Sequence, residues 1–161
     1  MQFDDKIIDH LERREHAYLD RLRALVDTNS GLDNPKGRLG CLEQIERVYK
    51  LMGFATERVA RQGEMVHLVA RRPATARPGN GKRAPKVLIL GHFDTVYDST
   101  SDFLTFSQQG EWLAGPGVGD MKGGIVVAQA AMEALAAAGQ LDAFDWVCCH
   151  NADEEIQSPT S

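Results

Sequence analysis

Lys86-Val87-Leu88-Ile89-Leu90-Gly91-His92-Phe93-Asp94 is the stretch on which the reading of the fold turns. Val87 to Leu90 is a continuous apolar run of strand length with no polar alternation, the pattern of a strand covered on both faces. The chain turns polar immediately afterwards, with His92 and Asp94 two residues apart. Phe144 to His150 repeats the arrangement: a second apolar strand runs into Asn151-Ala152-Asp153-Glu154-Glu155. In sheets flanked by helices, polar residues just past the carboxyl ends of strands are the usual seat of chemistry.

The elements around these two strands complete an α/β pattern. Residues 4 to 27 carry Ile8, Leu11, Tyr18, Leu22 and Leu25 at helical spacing. Asn34-Pro35 is an N-cap followed by proline at the first helical position, and Leu39, Leu42, Ile45, Val48 and Met52 supply a second helical stripe ending at Gly53. Phe54–Ala60 and Met65–Arg71 read as strands around a Gln62-Gly63 turn, and Phe103–Phe106 with Trp112–Ala114 as a small hairpin. Residues 73 to 85, rich in Pro, Gly and basic side chains, read as a solvated loop between strands. Gly123 to Ala138 is an alanine-rich helix stopped by Gly139. This order predicts helices around a mostly parallel sheet.

Bulk properties narrow the function. With 161 residues, 43% of them hydrophobic and 25% charged, the chain can build one core. A net charge of -5 gives no electrostatic reason to bind nucleic acid or an anionic membrane. The acidic start, Met1 to Asp5, lacks the layout of a signal peptide, and no apolar stretch reaches membrane-spanning length. Cys41, Cys148 and Cys149 are odd in number, and two lie inside a strand, which suits reduced core thiols and a cytoplasmic location.

Three polar clusters carry the chemistry. In His92-Phe93-Asp94, one imidazole nitrogen can bind a metal while a carboxylate accepts from the other; the same pair also fits a simple strand-end cap. In Gly115-Pro116-Gly117-Val118-Gly119-Asp120-Met121-Lys122-Gly123-Gly124, the glycines suggest phosphate binding. Lys122 is not followed by Ser or Thr, however, and it stands where the dinucleotide fingerprint needs glycine. A nucleotide-binding reading is therefore weak, and the loop serves better to present Asp120. In Asp153-Glu154-Glu155, one acid can ligate a cation while its neighbour acts as general base; a solvated acidic turn is the alternative.

Taken together, Gly91 to Tyr97, Gly115 to Gly124 and Asp153 to Ser158 resemble the M20 family of zinc peptidases and deacylases, most closely its glutamate carboxypeptidase branch. The resemblance implies His92 as ligand of a first zinc and Asp94 as its orienting partner. It further implies Asp120 as a bridge between two zincs, preceding a cis peptide to Met121, Glu154 as general base and Glu155 as ligand of the second zinc. Cobalt or manganese could occupy such oxygen- and nitrogen-rich sites. Gln157 departs from the family pattern, which has glycine there. His150 is expected to be a strand residue rather than a ligand.

In activity, the resemblance implies a metal-dependent hydrolase that cleaves an amide bond in a small peptide or N-acyl amino acid. His92, Asp120 and Glu155 are too few to complete two four-coordinate zincs. In the family the remaining ligands, and a second domain that dimerises, lie further along the chain. Residues 1–161 are accordingly expected to be a partial catalytic domain, incomplete at its C-terminus, weakly stable, weak in metal binding and inactive alone, with the full-length protein a homodimer. The competing expectation is a non-catalytic binding domain that keeps the fold.

Overall fold

The computed structural model of the chain describes residues 4–75 and 83–161. Residues 1–3 of the acidic start and residues 76–82 of the 73–85 loop lie outside the described residues.

Helix α1 spans Asp5–Val26, and the Asp4 side chain caps it by accepting from the Lys6 N–H at 3.0 Å. Helix α2 spans Pro35–Leu51; the Asn34 side chain accepts from the Gly37 N–H at 2.9 Å, and Pro35 opens the first turn. Gly53, at φ 79°, takes the left-handed turn that ends it. Strands β1 (Ala55–Ala60) and β2 (Val66–Arg72) form an antiparallel hairpin through a short 3-10 turn. Strand β3 (Lys86–His92) leads to a small hairpin, β4 (Ser107–Gln109) with β5 (Trp112–Ala114). The first arm of that hairpin lies just beyond the expected Phe103–Phe106. Phe106 instead turns inward and is 8% exposed, its N–H bonded to Asp27. Helix α3 (Lys122–Ala137) and strand β6 (Asp145–Asn151) complete the fold.

The main sheet has the order β1-β2-β6-β3. It is mixed rather than mostly parallel: β6 runs parallel to β3 but antiparallel to β2, which is already paired antiparallel with β1. The hairpin between β1 and β2 contributes both of its strands to the sheet and makes their own pairing antiparallel; β2 then joins β6 antiparallel as well. Register places Leu68, Ala70, Trp146, Cys148, His150, Val87 and Ile89 on one face. That face packs with Leu25, Leu42, Ile45, Tyr49, Ile125 and Met132 from the helices into a single core.

The opposite face is more open. Leu88 and Leu90 are 61% and 65% exposed, so β3 is a sheet edge with one face uncovered, not a strand covered on both faces. An apolar run records what a strand can bury, and the neighbours decide what it does bury. Among the described residues, no helix is long and apolar enough to cross a membrane.

Candidate metal centre

The site lies at the carboxyl ends of the parallel pair, β3 and β6. Parallel register sets His92 opposite Asn151, so the loops leaving the two strands emerge side by side. The loop after β3 is tied down by the Ser30 hydroxyl, which donates to the Phe93 carbonyl at 2.6 Å, and by a bridge between Gly31 and Thr95. After β6 the chain makes a 3-10 turn, Glu154–Ile156. The glycine-rich loop preceding α3 supplies the third side, and its Asp120-Met121 peptide is cis, as the resemblance implied.

His92, Asp120 and Glu155 offer ligand atoms that all lie within 4.8 Å of one another. His92 Nε2 is 2.9 Å from Asp120 Oδ1 and 3.7 Å from Glu154 Oε2. On the other side of the ring, Nδ1 bonds the Asp94 backbone carbonyl at 3.2 Å, with the Asp94 carboxylate at 3.4 Å. The backbone oxygen thus takes the hydrogen bond that the sequence suggested for the carboxylate. Asp94 is fully buried and also accepts the Glu155 N–H at 2.9 Å, so one side chain touches both the His92 ring and the acid turn.

Four carboxylates, of Asp94, Asp120, Glu154 and Glu155, crowd around one imidazole. Burial by itself would lower the His92 pKa. Its bonds to Asp94 and Asp120, with the charges of Asp94 and Glu154, outweigh that and raise the imidazolium to about 9. The Glu155 carboxyl is pushed up by burial, against the pull of His92, with Asp120, Asp94 and Glu154 adding repulsion. Buried Asp94 Oδ1 has no hydrogen-bond partner among the described residues. A donor set of one imidazole and several carboxylates, too rich in negative charge and converging on one point, fits a divalent cation. A cleft of about 580 Å³ opens beside the acids, lined by Thr95, Tyr97, Phe103 and Gly117 as well as Asp120 and Glu155.

Other residues stand apart from this point. His150 is fully buried, its Nε2 bonded to the Tyr49 hydroxyl at 2.8 Å, as a strand residue should be. Cys41 and Cys148 are buried free thiols, and Cys149 is a half-buried one. His67 escaped the sequence reading. Its Nδ1 accepts the Ala152 N–H at 3.2 Å while Nε2 meets the Thr160 hydroxyl at 3.1 Å. That hydroxyl also meets Asp153 Oδ2 at 2.7 Å, which steadies the turn bearing Glu154 and Glu155. The signal was a single histidine in the otherwise apolar run at residues 66–70 of β2, ambiguous without its partners. Gln157 and Ser158 have φ of 69° and 51°, so the position where the family pattern has glycine is a left-handed one.

Residues 88–161, which hold all five candidate site residues, match the model of Peptidase family M20/M25/M40. Among solved structures, human carnosine dipeptidase 1 is similar with a TM-score of 0.80 over 96% of this chain, at 16% identity. The di-peptidase Dug1p from Saccharomyces cerevisiae is similar with a TM-score of 0.77, also over 96% of this chain and at 16% identity. The chain spans 36% of the length of each. No curated protein matches it in sequence. The fold, a mixed sheet flanked by helices, is shared with these two dipeptidase structures.

Proposed function

We propose that this chain is the metal-binding part of an M20-type peptidase, in which His92, Asp120 and Glu155 hold divalent metal and Glu154 is the general base. The observation that carries the reading is the convergence of the three ligand atoms within 4.8 Å, with the Glu154 carboxylate beside them. Bound there, zinc ions (or cobalt or manganese) would polarise the scissile carbonyl and acidify a water. Glu154, half exposed and 3.7 Å from His92 Nε2, would take a proton from the attacking water and return it to the leaving amine. Asp94 would hold the His92 ring with Nε2 facing the metal.

Three donors do not complete two four-coordinate ions, so a dinuclear centre requires donors beyond these three. The substrate class is a small peptide or N-acyl amino acid; the dipeptidases with the same fold favour the peptide. A homodimer and a cytoplasmic setting belong to the same proposal.

Zinc titration of the 161-residue chain tests the ligand set. Binding should fall at least tenfold in His92→Ala and in Asp120→Ala, and equal affinity in parent and both variants overturns the reading. Hydrolysis of a panel of dipeptides and N-acyl amino acids by the metal-loaded full-length protein tests the base. Glu154→Gln should keep the metal and lose turnover.

A further inference from the structure

Lys122 opens α3 two residues after Asp120, and it is completely buried. An ammonium group taken out of water must be well satisfied to be tolerated. Its Nζ donates to the Leu25 carbonyl at 2.8 Å and to the Thr28 carbonyl at 2.9 Å. These oxygens lie at the carboxyl end of α1, where backbone carbonyls lack helical partners and the helix dipole favours a cation. Cys41 Sγ, from α2, approaches the same two carbonyls at 3.7 and 3.4 Å. One lysine therefore ties the start of α3 to α1 beside α2.

The glycine-rich loop is built around this side chain. A Cβ on Gly117 would fall 2.9 Å from Lys122 Cγ and Cδ, and Gly117 is at φ 79°. Its carbonyl accepts the Gly123 N–H at 3.2 Å, closing the loop over the lysine stem. Asp120 itself has little else to hold it. Its side chain is 81% exposed and makes a hydrogen bond only to His92 Nε2 among the described residues.

We propose that Lys122 is the positioning residue for Asp120: its buried attachment to the end of α1 fixes the loop that brings the Asp120 carboxylate to His92. The proposal rests on the metal-centre reading for its consequence, but its geometry can be read without metal.

The test compares the parent chain with Lys122→Met, which keeps the stem and removes the donor, and with Ile45→Val, which loosens the same core away from the loop. In the metal-free folded proteins, the imidazole 15N resonances of His92 report its bond to Asp120. They should move in Lys122→Met and stay in Ile45→Val. With Zn2+ alone, competed against a chromophoric chelator, affinity should fall at least tenfold in Lys122→Met only. A folded Lys122→Met with parental His92 resonances overturns the proposal. Failure of the parent to bind Zn2+ overturns the metal-centre reading instead, while the metal-free resonances still decide the role of Lys122. If Lys122→Met does not fold, Lys122→Gln is read in trimethylamine N-oxide, which favours the compact state, and the same outcomes decide.

Discussion

Asp94 Oδ2 accepts the backbone N–H of Glu155 at 2.9 Å, joining the loop after β3 to the turn after β6 through a fully buried carboxylate. The same residue meets His92 Nδ1 through its carbonyl and lies beside it with Oδ1. Removing the carboxylate therefore disturbs two candidate ligands at once. Asp94→Ala should weaken zinc binding by about 10- to 100-fold, the usual range for losing a ligand's orienting partner. Asp94→Asn keeps an acceptor for Glu155 and should lose less. Chelator competition gives both numbers; equal losses would mean that the bond to Glu155 is of no consequence.

Acid sensitivity should come in part from Glu46, which is far from the metal centre and 5% exposed. Burial pushes its carboxyl up, but bonds from Arg58, Lys50 and Thr56 outweigh this and bring it from the ordinary 4.5 to about 2. A depressed carboxylate stabilises the fold fully above its unfolded pKa and loses that contribution as pH falls through the folded one. The window is therefore pH 4.5 down to about 2. Arg58 and Lys50 are 40% and 57% exposed, so solvent screening cuts the contribution to the order of 1–2 kcal/mol. Urea melts of Glu46→Gln should lack this part of the parent's decline.

His150 should act in a separate and milder range. Burial alone holds it near 4, below the ordinary 6.5. Because protonation favours the unfolded chain, its contribution is complete above pH 6.5 and is lost as pH falls through about 4. Tyr49→Phe removes the partner of Nε2 and should cost about 1–3 kcal/mol at neutral pH by leaving a buried polar atom unsatisfied. Thermal melts at pH 8 and pH 5 separate the two effects. A His150→Asn chain that retains the parent's full slope between those values would contradict the assignment.

How far the sequence foretold all this depends on where each partner sits. The helix limits were legible because their signals are local: Asp4, Asn34-Pro35, Gly53 and Gly139 stand at or beside the ends they mark. The candidate trio His92, Asp120 and Glu155 could be singled out because each member follows a strand or precedes a helix in a recognisable cluster, and the structure brings their ligand atoms together. The uncovered face of β3 was not, since Leu88 and Leu90 look the same in sequence whether or not something packs on them. Nor was the depth of Lys122, whose partners are backbone carbonyls of Leu25 and Thr28 on a distant segment. A backbone oxygen leaves no trace in residue type. Gln157 departs from the family pattern in sequence, and its left-handed φ gives that departure a physical meaning.

Strain at Gln157 can be measured directly. At φ 69°, Gln157 places its Cβ against the backbone in a region only glycine enters freely, at a penalty of about 1–2 kcal/mol. Its N–H still bonds the Glu154 carbonyl at 2.8 Å, so the turn is retained despite the strain. Gln157→Gly removes the clash, but it also gives the unfolded chain more freedom, an opposing cost of roughly 0.5–1 kcal/mol. The net expectation is a stability equal to the parent's or higher by up to about 1 kcal/mol, with zinc affinity unchanged because neither Glu154 nor Glu155 is touched. Gln157→Val, β-branched and ill suited to positive φ, should be less stable than the parent. Denaturant midpoints for the three chains provide the check. A midpoint for Gln157→Gly clearly below the parent's would show that the glutamine side chain holds the turn through contacts stronger than the strain it bears.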